Sequence, residues 1–257
     1  MANNNNNSVL PSLHIGTFNC NGLGNKNKRE LVLNWLKFKN ESIIFIQESH
    51  STTSNENEWR KEWDGEIIFN HGKSNSTGIA ILFKREIMVD LKIIRHVNIV
   101  EGRVMIVEVE LGGTVFGLVN VYCPNNDDTD FLQKLFLEAS SFTSTYNLIF
   151  GGDWNTIFDN NLDKSGGAPA HCNKNRQNLL NNILSDLSLS DIFRLNNPNA
   201  RTYTHFDKQH KTSTRLDFFL VDDGLVNLPV CCSNISHGFK SDHSCVFSNS
   251  GNHTKPW

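Results

Sequence analysis

Apolar runs of strand length recur along this chain, separated by polar turns and by a few stretches with helical spacing. Leu13–Phe18 and Ser42–Ile46 read as short apolar strands, the second ending at Gln47-Glu48. Between them, Lys26–Phe38 sets Leu31, Trp35 and Phe38 on one stripe, broadened by Leu33 and Leu36, which predicts a helix. Glu56–Trp63 reads as a short helix. Strands are then expected at Glu66–Phe69, Gly78–Phe83, Val89–His96, Val104–Leu111 and Val115–Tyr122. Asp127–Thr143 predicts a longer helix with Asp127 or Asp128 as N-cap. Tyr146–Phe150 reads as a strand running into Gly151-Gly152-Asp153, and Asn175–Leu187 as a helix. Late strands are expected near Thr202–Phe206, Arg215–Val221, Val230–Ile235 and Ser244–Phe247. Strands outnumber helices, and runs of strands are separated by helices. That order predicts an α+β fold of packed sheets with helices on their outer faces.

Composition narrows the class. A chain of 257 residues, 38% hydrophobic and with no long linker or internal repeat, is expected to form one domain over residues 11–248. Residues 1–10 are read as a disordered Asn-rich tail and 249–257 as a loose C-terminal tail or linker. No apolar stretch approaches the ~18 residues of a membrane-spanning helix, so no membrane partner is expected. The start lacks the basic and apolar regions of a secretory signal, which predicts a protein that is not secreted and whose cysteines are free thiols. The six cysteines include no CxxC pair, so zinc-ribbon spacing is absent. A net charge of −3 argues against a uniformly basic nucleic-acid binder, but not against an enzyme whose cleft alone attracts phosphate.

The candidate chemistry sits at the ends of the apolar runs. Asn19 and Asn21, in Phe18-Asn19-Cys20-Asn21-Gly22-Leu23, stand at i and i+2, so in extended backbone both amides face one side. Alone, the segment reads more readily as a polar strand end entering an Asn-Gly turn. Glu48 closes an apolar strand, where it is either a solvated end or a ligand for a divalent ion. Phe150-Gly151-Gly152-Asp153-Trp154-Asn155 opens a buried strand onto a carboxylate and an amide two residues apart. Such a pair is either a plain Asp/Asn turn after the strand or a site that orients a water and donates to a phosphate. Asp217, within an apolar strand, requires a partner when buried, and His243 in Ser241-Asp242-His243-Ser244 is the candidate. That pairing leaves Asp242 to face a nucleophile or metal. Tyr122 precedes Cys123-Pro124 and is either a core phenol or a phosphate donor.

In order, strand-Asn-x-Asn-Gly-Leu, strand-Gln-Glu, Tyr-x-Pro, Gly-Asp-x-Asn, Arg-Leu-Asp and Ser-Asp-His resemble the endonuclease/exonuclease/phosphatase superfamily from Phe18 to Ser244. Phe45-Ile46-Gln47-Glu48-Ser49-His50-Ser51, Ser74-Asn75-Ser76-Thr77-Gly78-Ile79 and Tyr203-Thr204-His205-Phe206 are most similar to the apurinic-like endonuclease domain of non-LTR (LINE-type) retrotransposons. The resemblance implies a four-layered α/β/β/α sandwich of the deoxyribonuclease-I-like type. It implies Glu48 as principal ligand of Mg²⁺, or Mn²⁺ as substitute, with Asn19 near the ion. Asp153 would orient or deprotonate the attacking water and Asn155 would contact the scissile phosphate. His243, steadied by Asp217, would stabilise the transition state, with Asp242 beside them and Tyr122 hydrogen-bonded to phosphate. Other branches carry a carboxylate where this chain has Asn21, so no metal ligand is assigned there. Asn21, Thr204 and Ser241 are grouped instead with the DNA contacts.

The resemblance also separates substrates. Abasic-site repair relatives carry an aromatic before Arg-Leu-Asp, where this chain has Ser213-Thr214. Retrotransposon relatives carry a polar hairpin that enters the minor groove, here Asp207–Thr214. Segment 201–215 holds Arg201, Lys208, Lys211 and Arg215 against Asp207 alone, with His205 and His210 besides, which suits phosphate contacts. Lys164 matches a basic position of relatives. The expected activity is nicking of double-stranded DNA, leaving a 3′-OH primer for target-primed reverse transcription; the alternative is an abasic-site repair endonuclease or another phosphodiesterase of the superfamily. A reverse transcriptase domain is expected further along a polyprotein, with the isolated domain a monomer. Synthesis in the cytoplasm and action in the nucleus follow from the same resemblance.

Overall fold

The computed structural model describes residues 13–72, 76–126, 128–141, 147–167, 174–226, 230–232 and 240–248. Both proposed tails, 1–10 and 249–257, lie outside the described residues, as do Ser74, Asn75, Asp127 and Tyr146. In chain order the elements are β1 (Ile15–Asn19), α1 (Lys26–Lys37), β2 (Ile43–Gln47), α2 (Glu56–Glu62), β3 (Gly65–Asn70), β4 (Ile79–Lys84), β5 (Leu91–Val100), β6 (Val104–Leu111) and β7 (Thr114–Tyr122). They continue as α3 (Thr129–Ser140), β8 (Asn147–Asp153), β9 (Lys164–Gly166), α4 (Lys174–Asp186), β10 (Leu189–Asp191) and α5 (Ile192–Asn196). The last are β11 (His205–Asp207), β12 (Thr212–Thr214), β13 (Asp217–Asp222), β14 (Val230–Cys232) and β15 (Val246–Ser248).

Alternation along the strands sorts the apolar residues into layers. Ile15, Ile43, Phe45, Ile79 and Ile81 point to one side and meet Met105, Val107, Phe116, Ile149 and Phe219. The next residues along, Phe18, Ile44, Ile46 and Leu82, point to the other side and meet Val32, Leu33 and Leu36 of α1 and Trp59 of α2. On the second sheet, Val119, Val121, Phe150, Phe218 and Leu220 face away from the first and receive Leu132 and Leu135 of α3 and Leu180 of α4. The result is helices, sheet, sheet, helices. The sheets run β14-β15-β1-β2-β4-β3 and β10-β13-β8-β7-β6-β5, and a small third sheet runs β11-β12-β9. The expected four-layered α+β sandwich is therefore the observed one.

Two parallel pairs fix where the polar strand ends gather. β1 pairs with β2, and β7 with β8, each in parallel. Parallel neighbours end on the same edge, so Asn19, Glu48, Tyr122 and Asp153 emerge together. β13 runs antiparallel to β8 with Asp217 opposite Asp153, so its first residue joins that edge.

Several boundaries differ from the sequence expectation, each for a physical reason. The strand expected to stop at Phe150 continues through Gly151-Gly152 to Asp153, because β13 pairs with it from Ile149 to Asp153. Gly152 has φ +148, and a Cβ there would lie 1.9 Å from the Val121 carbonyl oxygen. Only glycine lets β8 approach β7 so closely while turning Asp153 to the edge. In α1 the buried face is Arg29, Val32, Leu33 and Leu36, while Leu31 is 56% and Phe38 88% exposed, so that helix is rotated from the expected stripe. The buried Arg29 guanidinium fixes that rotation by gripping Glu58 at 2.7 Å and Glu62 at 2.6 Å on α2. The expected start of β5 at Val89 lies in a 3-10 turn, Arg85–Val89, and β5 then runs on to Val100. Asp128 is the N-cap of α3, accepting from the Phe131 amide. Among the described side chains Cys20, Cys123 and Cys245 are buried free thiols.

Candidate active site

Asn19 is the joint between the sheets. Fully buried at the end of β1, it donates from Nδ2 to Glu48 Oε1 at 2.9 Å and to Asp153 Oδ2 at 2.9 Å. One amide thus draws together a carboxylate from each sheet. Tyr122 donates its hydroxyl to the same Glu48 oxygen at 3.0 Å. Burial, with the Glu48 charge beside it, pushes the phenol well above its usual range, so Tyr122 stays a donor. The guanidinium of Arg103 lies 4.8 Å from the centre of the Tyr122 ring.

Glu48 reaches this point through a strained turn. It has φ +50, as does His50, a region uncommon for residues other than glycine. The turn is held by neighbouring backbone: Gly22 donates to the Glu48 carbonyl at 2.9 Å, and Ser49 donates to the Gly78 carbonyl at 2.8 Å. Ser51 meets His71 Nδ1 at 2.9 Å, and His71 Nε2 meets Glu56 at 2.7 Å, which anchors the turn to α2. Beneath it, buried Gln47 donates to Asn120 at 2.7 Å, and Asn120 donates to the Ile46 and Ala80 carbonyls. Asn120 is a supporting residue that sequence reasoning missed. Its signal was a lone amide inside the apolar run Val115–Tyr122.

Asp153 accepts the Asn155 backbone amide at 3.0 Å. Asn155, at φ +45, donates from Nδ2 to the Cys123 carbonyl at 2.8 Å and lies 3.3 Å from Asp153 Oδ2. Across from it, His243 Nδ1 sits 2.8 Å from Asp217 Oδ2, and His243 Nε2 is 3.9 Å from Asp153 Oδ2. The pairing of Asp217 with His243 drawn from the sequence is present. Burial works against the imidazolium, yet the Asp217 and Asp153 carboxylates outweigh it and raise His243 to about 10. Burial pushes Asp153 up to about 6, against the lowering pull of His243. At neutral pH the edge therefore holds an imidazolium between the Asp217 and Asp153 side chains.

Ser241 ties this loop down, donating to the Asn19 carbonyl at 3.0 Å and accepting from the His243 amide at 3.1 Å. Asp242 is exposed, accepts from Asn21 Nδ2 at 3.0 Å and lies 3.6 Å from His205 Nε2. The His205 imidazole holds the Asp242 carboxyl well below the usual carboxylate range. Lys28, a second residue absent from the sequence reading, donates to the Cys20 and Asn21 carbonyls, each at 2.7 Å, and fixes the loop that carries Asn21.

Two of the proposed DNA contacts are not at the surface. Thr204 is fully buried, and its hydroxyl accepts the Leu216 and Asp217 amides at 2.9 and 3.0 Å. Arg215 is fully buried, with Nε 2.7 Å from Asp163 and Nη2 2.6 Å from Asp191. Its charge is spent inside the fold and contributes nothing to a basic hairpin surface. The reason was illegible locally: both acidic partners lie far away in sequence, one on a three-residue strand with no periodicity. Arg201, Lys208 and Lys211 are exposed, and Lys164 is half-buried on β9. The hairpin itself is present as β11–β12, extended by β9 through the pairing of Lys164 with Thr214.

The oxygen donors fit a hard divalent cation. Glu48 and Asp153 converge on a single amide, so a cation between the two sheets would offset their repulsion. Asp153, Asp217 and His243 also place ligand atoms within 4.8 Å of one another.

The chain is similar to known proteins over nearly its whole length. It is 29% identical over 242 residues to a transposon TX1 uncharacterized 149 kDa protein of Xenopus laevis, covering 91% of this chain and 18% of that relative. Among solved structures, an AP endonuclease from Leishmania major superposes with a TM-score of 0.75 at 16% identity, over 93% of this chain and 88% of that one. An AP endonuclease from Archaeoglobus fulgidus gives 0.72 at 20%, over 92% and 98%. A 3′ phosphatase from Neisseria bound to a product DNA hairpin gives 0.71 at 21%, over 93% and 99%. The family model described as endonuclease/exonuclease/phosphatase matches residues 16–243, from β1 to the histidine that Asp217 holds, and the chain belongs to that family.

Proposed function

We propose that this chain is a metal-dependent endonuclease that nicks double-stranded DNA for a non-LTR retrotransposon, leaving a 3′-OH that primes reverse transcription. The observation that carries the reading is its similarity to the Xenopus transposon protein across 91% of the chain, with the polar edge intact. The chain spans 18% of that relative's length, which supports a longer polyprotein with a reverse transcriptase domain further along. Nuclear action and a monomeric isolated domain belong to the same proposal.

Asp153 accepts the proton of the attacking water, oriented by its bonds to Asn19 and the Asn155 amide. His243, an imidazolium positioned by Asp217, donates from Nε2 to a phosphoryl oxygen as negative charge builds there. Tyr122 orients Glu48 through its hydroxyl. Glu48 and Asp153 would hold Mg²⁺, or Mn²⁺ in its place, beside Asn19, whose Nδ2 faces both carboxylates and whose Oδ1 takes the Asn21 amide; the ion would supply neutralisation of the developing phosphoryl charge when bound. With EDTA, nicking of supercoiled plasmid is expected to fall to background and to return on adding Mg²⁺; nicking that persists in EDTA would refute metal dependence.

The exposed Lys208 and Lys211 place positive charge at the tip of the β11–β12 hairpin, whose base meets the site through His205. Replacing residues 208–211 with Gly and Ser should redistribute nick positions on a mapped plasmid. Binding should also weaken, with a reduced salt slope. An unchanged cleavage map would sink groove reading by this hairpin. The competing reading is abasic-site cleavage, favoured by the AP-endonuclease fold likeness. Paired oligonucleotides with and without an abasic site decide it: strong preference for the abasic duplex overturns the transposon reading.

A further inference from the structure

We propose that His205 is a positioning residue that couples the hairpin to the Asp242–His243 end of the site, an inference that rests on the nicking reading for its kinetic arm. His205 opens β11 and faces three ways. Its Nδ1 is 3.2 Å from the Thr214 hydroxyl on β12. Its Nε2 is 3.6 Å from Asp242 Oδ2. Its ring lies 4.8 Å from the His243 ring, inclined at 51°.

The backbone repeats the connection. His205 and His243 form an antiparallel bridge. On either side of it, Phe206 donates to the Asp242 carbonyl at 2.9 Å and Ser244 donates to the Thr204 carbonyl at 2.6 Å. The loop that carries His243 is thus tied to the hairpin by one antiparallel bridge. Any shift of the hairpin is transmitted to it.

Asp242 completes the coupling from the opposite side. Asn21 donates to its other oxygen at 3.0 Å, and Lys28 secures the Asn21 carbonyl at 2.7 Å. Asp242 is therefore clasped between the β1 loop and the hairpin, with His205 as the hairpin's half of the clasp. Asp217 fixes one nitrogen of His243, while the His205 ring limits how far the imidazole can tilt. A displacement of about 1 Å at a reacting group costs up to about 100-fold in rate, so a residue that only sets this position has a large lever.

The test compares wild type with His205→Ala, His205→Gln, Asp242→Asn and the His205→Ala/Asp242→Asn double variant. At saturating plasmid, His205→Ala should lower kcat about 10- to 100-fold with KM within about twofold, because the loss is of alignment and not of binding. His205→Gln, which keeps a donor near Asp242, should recover most of that loss. In the Asp242→Asn background, His205→Ala should add no more than about twofold, since the two act as a unit. A raised KM with kcat intact would make His205 a plain DNA contact, and additive losses would break the coupling; either overturns the proposal. A second readout needs no substrate. The His243 Nδ1 proton held by Asp217 should exchange about tenfold faster in His205→Ala than in wild type, with the thermal midpoint little changed. If wild type fails to nick plasmid, the functional reading fails, and the exchange comparison still decides the role of His205: equal rates overturn it.

Discussion

Asp153→Asn is expected to lower plasmid nicking by about 100- to 10,000-fold while the protein stays folded with its melting midpoint little moved. The substitution keeps the size and the acceptor toward the Asn155 amide, so the turn after β8 has no steric reason to move. It removes the ability to take a proton and the negative charge beside His243, and it sets an amide donor where Oδ2 accepted from Asn19 Nδ2 at 2.9 Å and faced Asn155 Nδ2 at 3.3 Å. Measuring nicking rate and thermal midpoint on the same sample checks both halves. Near-wild-type nicking would refute the assignment of Asp153.

The stability half follows from burial. Desolvation raises the Asp153 carboxyl to about 6, although His243 pulls it down. Between the ordinary carboxylate value and about 6, the folded chain holds a proton that the unfolded chain has released. Stability therefore falls as pH rises through that window, and at neutral pH the charge is a cost. Asn removes that cost but loses the acceptor for Asn19 Nδ2, and the two effects oppose each other, so the midpoint moves little. His243→Ala is the less clean variant, because it strands Asp217 in the interior. Asp217 Oδ1 already has no hydrogen-bond partner among the described residues, so losing His243 leaves little to compensate that charge.

The contrast between Asp153 and Arg215 shows what the sequence could carry. Asp153 was legible because it ends a long apolar run after two glycines, a pattern that reads either as a plain turn or as a carboxylate delivered to a sheet edge. The sheets were legible because β2, β4, β6 and β7 are near-continuous apolar runs, buried on both faces. What stayed hidden was set by contacts distant in sequence. The rotation of α1 is decided by Arg29 meeting Glu58 and Glu62, and by no property of its own stripe. Short elements such as β9, β10 and α5 have too few residues for a period to show. Arg215 looked like part of a basic hairpin because three exposed basic residues precede it and its acidic partners lie on β10 and just before β9.

Arg215 should accordingly behave as a keystone of the fold. Its guanidinium lies between the rings of Phe193 and Phe218, at 5.6 and 5.0 Å, and joins Asp163 to Asp191. Asp163 also takes Arg194 at 2.6 Å and the amides of Phe158 and Asp159. Arg215→Ala removes the central cation and leaves two carboxylates in the interior with Arg194 as the remaining guanidinium. Breaking one side of a buried ion pair costs about 3–5 kcal/mol. In a domain of this size that lowers the melting midpoint by on the order of 10 °C. Arg215→Lys should recover only part of the loss, since one ammonium cannot reproduce the two-sided fork. The decisive comparison is with Lys211→Ala. A phosphate contact reduces the salt slope of DNA binding by about one, whereas an internal strut lowers the melting point and leaves the slope alone. Lys211→Ala should do the first and Arg215→Lys the second; a reduced salt slope with an unchanged melting point for Arg215→Lys would return Arg215 to the DNA surface.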